Sequence, residues 1–204
     1  MGQPKTTRKS KVAPRLGRDD WLDAAFQSVV DHGFDGVRVL VLAETLGVTR
    51  GSFYWHFKDH AELVQAVLQR WRDRELALNQ SIQGQSHADP VKELEALLEV
   101  ALAHAGEDLQ NMRFELALRG LGRRDTAVAD MLVAVDQMRM ALFENKFKRI
   151  TPDPKAATDL ASLFYLAIVG SYQALSRPQT PSATKQYLQS IISHYLVQQQ
   201  LKAP

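Results

Sequence analysis

The chain of 204 residues contains no cysteine. It can therefore form neither a disulfide bond nor a thiolate metal site, which fits a reducing cytosol. Long apolar runs are also missing, because the longest, around residues 160–169, is short and contains Ser162 and Tyr165. The basic N-terminus leads into Asp19 and Asp20 rather than into an apolar segment, which is not the pattern of a signal peptide. We therefore expect a cytoplasmic protein that does not enter the membrane.

Signals of catalysis are also few. His56 and His60 have the four-residue spacing of two metal ligands on one helix face. However, residues 57–59 are expected to form a turn, and no acidic residue is spaced to complete the site. There is no Glu-x-x-His pair, glycine-rich phosphate loop or nucleophile elbow. We predict that the chain is not an enzyme and uses neither a cofactor nor a metal; an α-helical enzyme or cofactor-storage bundle stays as an alternative.

The most informative segment of the sequence is residues 47–57, Gly-Val-Thr-Arg-Gly-Ser-Phe-Tyr-Trp-His-Phe. It predicts a tight turn followed by a short helix that mixes aromatic, small polar and cationic side chains. These side chain types suit a surface that meets phosphates and base edges. An amphipathic helix of an unrelated all-α protein is the alternative interpretation.

The neighbouring residues complete a helix-turn-helix. Residues 39–46 form a short apolar-rich helix, followed by Gly47 where a left-handed backbone is expected. Thr49 is predicted to cap the next helix. An earlier helix at residues 18–32 supplies the apolar side chains that two short helices cannot bury alone. In this geometry the second helix of the motif enters the DNA major groove.

Residues 18–65 resemble the DNA-binding domain of the tetracycline-repressor (TetR) family of bacterial transcription regulators. The resemblance rests, without gaps, on Ala25, Gly33-Phe34, Leu42-Ala43, Gly47-Val48-Thr49-Arg50-Gly51, Tyr54-Trp55-His56-Phe57 and Leu63. It implies an all-α fold, with a three-helix helix-turn-helix domain at residues 18–60 and a larger helical regulatory and dimerisation domain at residues 61–204. About nine helices are expected. The resemblance also implies a homodimeric regulator, by default a repressor released by a small molecule, on a palindromic double-stranded DNA operator.

Roles in DNA binding follow from the positions that match the family. Arg50 is expected to contact a base, most plausibly a guanine edge. Gly51 allows close approach of the backbone, and Ser52 and Trp55 are placed to touch base edges or a thymine methyl. The residues suited to phosphate contacts are Thr49, Tyr54, His56 and Lys58.

Two residues depart from the family's pattern. Arg38 stands where the family usually has a capping Ser or Thr, so the cap is expected to be lost while a phosphate contact remains possible by charge. His60 stands where a Lys is usual, so a phosphate contact there would lack a full charge. A further oddity is the apolar pair Leu40 and Val41, which sequence alone assigns either to another helix of this chain or to a protein partner.

The N-terminal arm, residues 1–17, is predicted to be disordered and basic. Its composition mixes small polar residues and prolines with cations that all precede the first acidic residue, Asp19. It is expected either to follow the DNA backbone or a minor groove, or to act only as a solubilising tail.

The last two predicted helices, at about 154–176 and 181–200, indicate a dimer. The first is apolar on nearly every side, and such a helix must be covered all round. We predict that the pair forms a four-helix bundle with its symmetry mate; burial of both within one core is the alternative. The predicted interface residues are Leu160, Leu163, Phe164, Ala167, Gly170, Ser171, Leu188, Ile191, Ile192 and Tyr195.

The family usually binds its small-molecule effector among the middle helices. The candidate pocket residues are polar groups in apolar helices, with aromatic and Met side chains as walls, and each has an ordinary structural role as its alternative. They are Trp71, His104, Met112, Arg113, Phe114, Glu115, Phe143, Tyr165 and Tyr172. Asn111 and Gln137 are candidates on the same grounds. A helical adaptor that retains the helix-turn-helix as a scaffold stays as the alternative function.

Overall fold

The described part of the chain is built from α-helices. The computed structural model describes residues 16–84, 87–103, 109–175 and 182–194. Within them lie nine α-helices and one short 3-10 helix at Phe34–Gly36, so the prediction of an all-α fold is confirmed. The helices are α1 (Arg18–His32), α2 (Val39–Thr45), α3 (Arg50–Phe53), α4 (His60–Gln83), α5 (Pro90–Ala103), α6 (Leu109–Gly122), α7 (Thr126–Phe147), α8 (Pro154–Leu175) and α9 (Ser182–Ile192).

The turn between α2 and α3 is set by Gly47. Its φ of 67° lies in the left-handed region that favours glycine. The backbone N–H of Gly47 donates to the Glu44 carbonyl, and that of Val48 donates to the Ala43 carbonyl at 2.9 Å. This pair of bonds is a Schellman ending, which satisfies carbonyls at the end of α2 and directs the chain into α3.

Two helices extend further than the sequence predicted. The polar residues from Ser81 to Asp89, with Gly84 among them, predict a loop and an end of α4 near Asn79, whereas α4 continues to Gln83. Ile82 is part of this added turn and packs against buried side chains of the C-terminal helices. Gly120 and Gly122 predict a break after residue 118, because glycine is a poor helix former, but they form the last turn of α6. A Cβ atom on Gly122 would lie 2.8 Å from a methyl group of Leu132, so this glycine permits close approach of α7.

The buried apolar residues form two clusters. The first joins α1, α2, α3 and the start of α4 to α6 and α7, with Trp21, Phe53 and Phe114 fully buried. The second joins α5, the C-terminal half of α7 and α8, and contains Phe147 and Phe164. The N-terminal helices therefore rest on α6 and α7 through a continuous core, and α4 runs out of that core toward the second cluster.

The interface predicted on α8 and α9 is wrong in part. Leu160, Phe164 and Ser171 are buried within the monomer, and so is Ile192 on α9. These side chains face α7 and the second cluster, because α8 uses one of its apolar faces for the chain's own core.

The outward face of α8 carries a different set of residues. Leu163 is 53% exposed and Leu166 is 63% exposed, Gly170 is exposed, and Ala167 is half-buried. Ile191 is half-buried on α9. The side chain of Leu188 and the whole of Tyr195 lie outside the described residues.

Candidate nucleic-acid interface and internal cavity

The helix-turn-helix exposes one side of α3 and the turn that follows it. Trp55 is 86% exposed and Tyr54 is 53% exposed, whereas Phe53 and Phe57 are buried. Phe53 meets the ring of Trp21 edge-on, with the ring centroids 5.3 Å apart. The alternation follows from the spacing, because residues 53 and 57 are one helical turn apart and face the core together.

The helical part of this segment is shorter than the two turns predicted. After Phe53 the backbone tightens, and the N–H groups of Tyr54, Trp55 and His56 each donate to the carbonyl three residues earlier. Such a 3-10 ending is common at the end of a helix. It keeps Arg50, Ser52 and Trp55 near one another at the outer surface.

Arg50 is held by a neighbour on its own helix. Its Nη2 atom donates to the hydroxyl oxygen of Tyr54 at 3.1 Å, and its guanidinium carbon lies 6.0 Å from the centre of the Tyr54 ring. The two residues are four apart, which places them on the same face. The predicted base-contacting side chain is therefore restrained before any partner arrives.

Thr49 stands at the N-cap of α3 but does not cap it. Its side chain makes no capping hydrogen bond, so that prediction is wrong. The hydroxyl of Ser52 instead donates to the backbone carbonyl of Thr49 at 2.9 Å. The Thr49 side chain is thus left exposed at the start of the helix, which suits the phosphate contact predicted for it. A Cβ atom on Gly51 would lie 3.7 Å from the Thr49 hydroxyl oxygen, an ordinary contact.

The two departures from the family's pattern have different structural consequences. Arg38 is the N-cap of α2 without a side-chain capping bond, as expected, and is exposed. His60 Nε2 lies 2.7 Å from the carbonyl oxygen of Val37, so it is the donor in that bond. The bond ties the start of α4 to the segment before α2, and only Nδ1 stays available for a phosphate.

Two further residues predicted to contact phosphates differ in exposure. Lys58 is exposed between α3 and α4, and His56 is half-buried.

Leu40 and Val41 are not covered by another helix in the described part of the chain. Leu40 is 57% exposed and Val41 is 43% exposed. Contact with another helix, the simpler of the two accounts, therefore does not bury this pair within the described residues. The exposed pair lies on α2, one helix before the surface formed by Tyr54 and Trp55.

Five helices enclose a cavity of about 90 Å³ next to the second cluster. Its walls are mostly aromatic and aliphatic, with six polar or charged side chains among them. The lining residues are Trp71, Arg74, Glu75, Leu78, Asn79 and Ile82 of α4, Leu97 of α5, Asn111, Met112 and Glu115 of α6, Arg139, Leu142 and Phe143 of α7, and Tyr165, Ile168 and Tyr172 of α8.

The cavity gathers most of the residues predicted to line a pocket. Trp71, Met112, Glu115, Phe143, Tyr165 and Tyr172 all line it. Phe114 is a correction: it is fully buried in the first cluster, where it stacks on Phe26 with ring centroids 4.8 Å apart. Arg113 also does not line the cavity, because it points from another side of α6. His104 lies outside the described residues.

A chain of ion pairs crosses the wall of the cavity. Arg139 donates to Glu75 at 2.7 Å and to both carboxylate oxygens of Glu115 at 2.9 Å. Arg119 donates to Glu115 and to Asp136, with shortest distances of 2.8 Å. It also donates to the hydroxyl of Tyr165, which in turn donates to Asp136. The network therefore connects α4, α6, α7 and α8.

The network shifts the acidity of its members. Burial by itself would raise the pKa of Glu115, but Arg139 and Arg119 hold that pKa below the usual range for a glutamate. Burial and the hydrogen bond to Asp136 raise the pKa of Tyr165 to about 12. Burial, with Glu115 nearby, also raises the pKa of Tyr172 above its ordinary value. Both tyrosines are therefore neutral at pH 7, and Glu115 is ionised.

Sequence reasoning missed Glu75, Asn79 and Arg139. The first two lie four and eight residues after Trp71, on the same face of α4, and both fall within the helix that the sequence predicts. Arg139 lies four residues after the buried Val135 and three before Leu142, on the inward stripe of α7. An arginine on an apolar stripe was the available signal of a buried ionic partner.

Within the described residues, no helix has the length and hydropathy needed to cross a bilayer. No group of three or more His, Asp or Glu side chains in that part of the chain is arranged to hold a metal ion.

Comparison with known proteins places the N-terminal helices in a family. Residues 22–67 match the family model described as bacterial regulatory proteins, tetR family. The HTH-type transcriptional regulator TtgR of Pseudomonas putida is 32% identical over 91 residues, covering 45% of this chain and 43% of that protein. This alignment therefore spans less than half of that relative's length. The HTH-type transcriptional repressor BepR of Brucella suis is 25% identical over 176 residues, covering 81% of this chain and 82% of that protein.

Solved structures extend the likeness in fold to nearly the whole chain. A transcriptional regulator from Rhodococcus has a TM-score of 0.74 at 19% identity, covering 93% of this chain and all of that one. A TetR transcription regulator from Haloarcula marismortui has a TM-score of 0.71 at 14% identity, covering 88% and 95%. The turn at Gly47 and the exposed surface that contains Arg50 and Trp55 both lie within the residues that match the family model. The helix-turn-helix of this chain, at residues 22–67, therefore matches the tetR family of bacterial regulatory proteins.

Proposed function

We propose that the chain is a sequence-specific DNA-binding transcriptional regulator. The observation that carries the proposal is the outward surface of α3, where a restrained arginine and two exposed aromatic residues project from a well-packed core. Arg50 is assigned to a base edge in the major groove, and Ser52 and Trp55 to neighbouring bases. Thr49, Tyr54, His56 and Lys58 are assigned to phosphates, together with Arg38.

The regulator acts as a homodimer on a palindromic operator. Leu163, Leu166 and Gly170 follow the spacing i, i+3, i+7 and form one exposed apolar face on α8. An apolar face of this kind is covered when two copies of the helix pack across a two-fold axis. Two copies of α3 would then meet successive major grooves about one helical turn apart.

The cavity is the effector site, and the effector releases the protein from DNA. Six lining residues belong to α4, which begins at the helix-turn-helix and is tied to α7 by the Glu75–Arg139 ion pair. A ligand that moves α4 changes the spacing of the two α3 helices, provided that it binds the two arrangements with different affinities. Repression is the proposed sign of regulation, supported by the relative from Brucella suis that is named a repressor.

The experiment uses an operator selected from genomic fragments and compares Arg50→Ala with Arg72→Ala. Arg72 is a matched control, because it is exposed on α4 and lies twelve residues beyond the start of that helix. Binding of a fluorescent duplex should weaken steeply with salt, since neutralised phosphates release counterions. Arg50→Ala should lose about 1–3 kcal/mol and its preference at one base pair. Arg72→Ala should bind as the parent does.

Two results would contradict the proposal. If the purified protein ignores duplex DNA even in dilute buffer, the helix-turn-helix is a scaffold and the adaptor interpretation gains. If Arg50→Ala keeps both affinity and sequence preference, the surface of α3 is not the one that reads bases.

A further inference from the structure

The charged side chains that line the cavity balance one another. Arg74 and Arg139 contribute two positive charges, and Glu75 and Glu115 contribute two negative charges. Glu115 is bound by two arginines, Arg139 joins Glu115 to Glu75, and Arg74 donates to Asn111. Because these four charges sum to zero, a charged ligand would leave the cavity with an uncompensated net charge.

The polar groups of the cavity that a ligand can still reach are either neutral or able only to accept a hydrogen bond. The hydroxyl of Tyr172 has no hydrogen-bond partner among the described residues. In that part of the chain, Trp21 Nε1 is the one side-chain nitrogen or oxygen that is both fully enclosed and without a partner. The Tyr172 hydroxyl is therefore not fully enclosed, and because Tyr172 lines the cavity, this hydroxyl is accessible from it. Because burial raises its pKa, this hydroxyl stays protonated and can donate.

Asn79 adds a second neutral group. It is 5% exposed, and its one side-chain hydrogen bond within the described part of the chain is a long one of 3.5 Å to the carbonyl of Met138. Its amide oxygen is free to accept from a ligand. On the same face of α4, Glu75 uses one carboxylate oxygen for Arg139, which leaves the second able to accept from a hydroxyl.

The remaining walls favour a flat apolar body. Trp71, Phe143 and Tyr165 supply aromatic surface, and the aliphatic side chains of α4 and α7 complete it. The volume of about 90 Å³ is below that of an engineered cavity of about 150 Å³ that accommodates benzene, so the cavity has room for no more than one ring.

From these observations we propose that the cavity takes an uncharged, single-ring aromatic molecule with one hydroxyl group. The ring lies among Trp71, Phe143 and the aliphatic walls. The hydroxyl oxygen accepts from Tyr172, and its hydrogen is donated to Asn79 or to the second oxygen of Glu75. This proposal rests on the assignment of the cavity as the effector site, and it adds the chemical class of the ligand.

Four probes of similar size separate the possibilities: phenol, toluene, benzoate and benzylammonium. Isothermal titration calorimetry of the full chain at pH 7 should rank phenol first. We expect phenol to bind about tenfold more tightly than either ion, because either ion would leave the cavity with an uncompensated net charge. Toluene should bind about 25-fold more weakly than phenol, the size expected for two net hydrogen bonds of about fivefold each.

Variants test which side chains bind the hydroxyl. Tyr172→Phe and Asn79→Leu should each weaken phenol by about fivefold while leaving toluene unchanged. Tyr187→Phe is the matched control, because Tyr187 is 65% exposed on α9 and does not line the cavity. It should leave the affinities for all four probes unchanged.

Different results would overturn the proposed ligand class and the proposed role of the cavity as effector site. Tighter binding of benzoate or benzylammonium, no binding of any probe, or an unchanged phenol-to-toluene ratio in both variants would overturn the ligand class. If phenol binds as expected but has no effect on operator affinity, the chemistry of the cavity stands and its role as effector site is overturned.

Discussion

At the scale of single residues, the pairing of Arg50 with Tyr54 is the feature most relevant to specificity. A long arginine side chain loses rotamer freedom when it is fixed against a base. The Tyr54 hydroxyl and ring already restrict it, at 3.1 Å and 6.0 Å respectively. Tyr54 therefore acts as a positioning residue for Arg50 in addition to the phosphate contact proposed for it.

The pairing makes a prediction for Tyr54→Phe, which keeps the ring and removes the hydroxyl. Discrimination at the base pair contacted by Arg50 should fall by about fivefold, the size of one net hydrogen bond. In a double-mutant cycle, Tyr54→Phe should have no further effect once Arg50 is alanine. The measurement is the ratio of dissociation constants for operators that differ at that base pair. A loss that is equal on all sequences and persists in the Arg50→Ala protein would assign the hydroxyl to a phosphate alone.

Exposed apolar residues at this scale separate into two groups. Leu40 and Val41 lie on α2 near the candidate DNA surface, whereas Leu163 and Leu166 lie on α8. The side chains alone do not indicate which surface they belong to, because isolated exposed leucines are common on protein surfaces. Position in the fold is what distinguishes them.

At the scale of secondary-structure elements, the ion-pair network joins α4, α6, α7 and α8 through buried side chains. Glu115 is 4% exposed and contacts arginines from its own helix and from α7. Removing one partner of a buried pair leaves the others uncompensated, which destabilises far more than the loss of a surface pair.

We predict that Glu115→Gln lowers the free energy of unfolding by about 3 kcal/mol at pH 7. The pKa of Glu115 in the folded protein lies below its ordinary value of 4.5. Its contribution is therefore fully present above that value and is lost as the pH falls through the lower, folded pKa. Denaturant unfolding of both proteins at pH 7 and again below pH 4.5 should show the difference shrinking as the pH falls.

Glu99→Gln provides the control for the acid effect. Glu99 is an exposed glutamate on α5, so the substitution should change stability by less than about 0.5 kcal/mol at either pH. A Glu115→Gln protein as stable as the parent at pH 7, or a difference that grows in acid, would contradict the role given to the network.

At the scale of the whole molecule, the main feature is that the first cluster runs without a break from the N-terminal helices to α6 and α7. Phe26 of α1 and Phe34 of the 3-10 helix both contact Phe114 of α6. The DNA-binding helices are therefore packed on the helices that line the cavity, and α4 is shared by both regions. The two regions are thus joined by packed side chains, the kind of contact through which strain can pass.

The proposed dimer makes a prediction at the same scale. Leu166→Glu places a charge on each side of the two-fold axis and should yield a monomer by sedimentation velocity. Affinity for the full palindrome should fall toward that for a half-site. Val133→Glu is the control, because Val133 is 52% exposed on α7, and this variant should stay dimeric. A dimeric Leu166→Glu protein, or dissociation by Val133→Glu instead, would move the interface away from α8.

The sequence alone determined the helical fold, the helix-turn-helix and most helix starts. These features depend on short-range signals, such as Gly47 with its positive φ and the Asp59 and Asp125 side chains that accept from the first turns of α4 and α7. Such signals act within a few residues, so they can be recognised without knowing what packs nearby. The aromatic and polar residues of α3 were likewise assigned to a surface because they are adjacent in the chain.

Only the tertiary structure decided which apolar faces are covered and which buried charges meet. Phe164 and Leu166 are two residues apart on α8, yet one is fully buried and the other is exposed. Glu75, Glu115 and Arg139 come from three helices, and their pairing depends on how those helices cross. A helix that is apolar all round has several equivalent faces, and the choice among them is made by packing between distant parts of the chain.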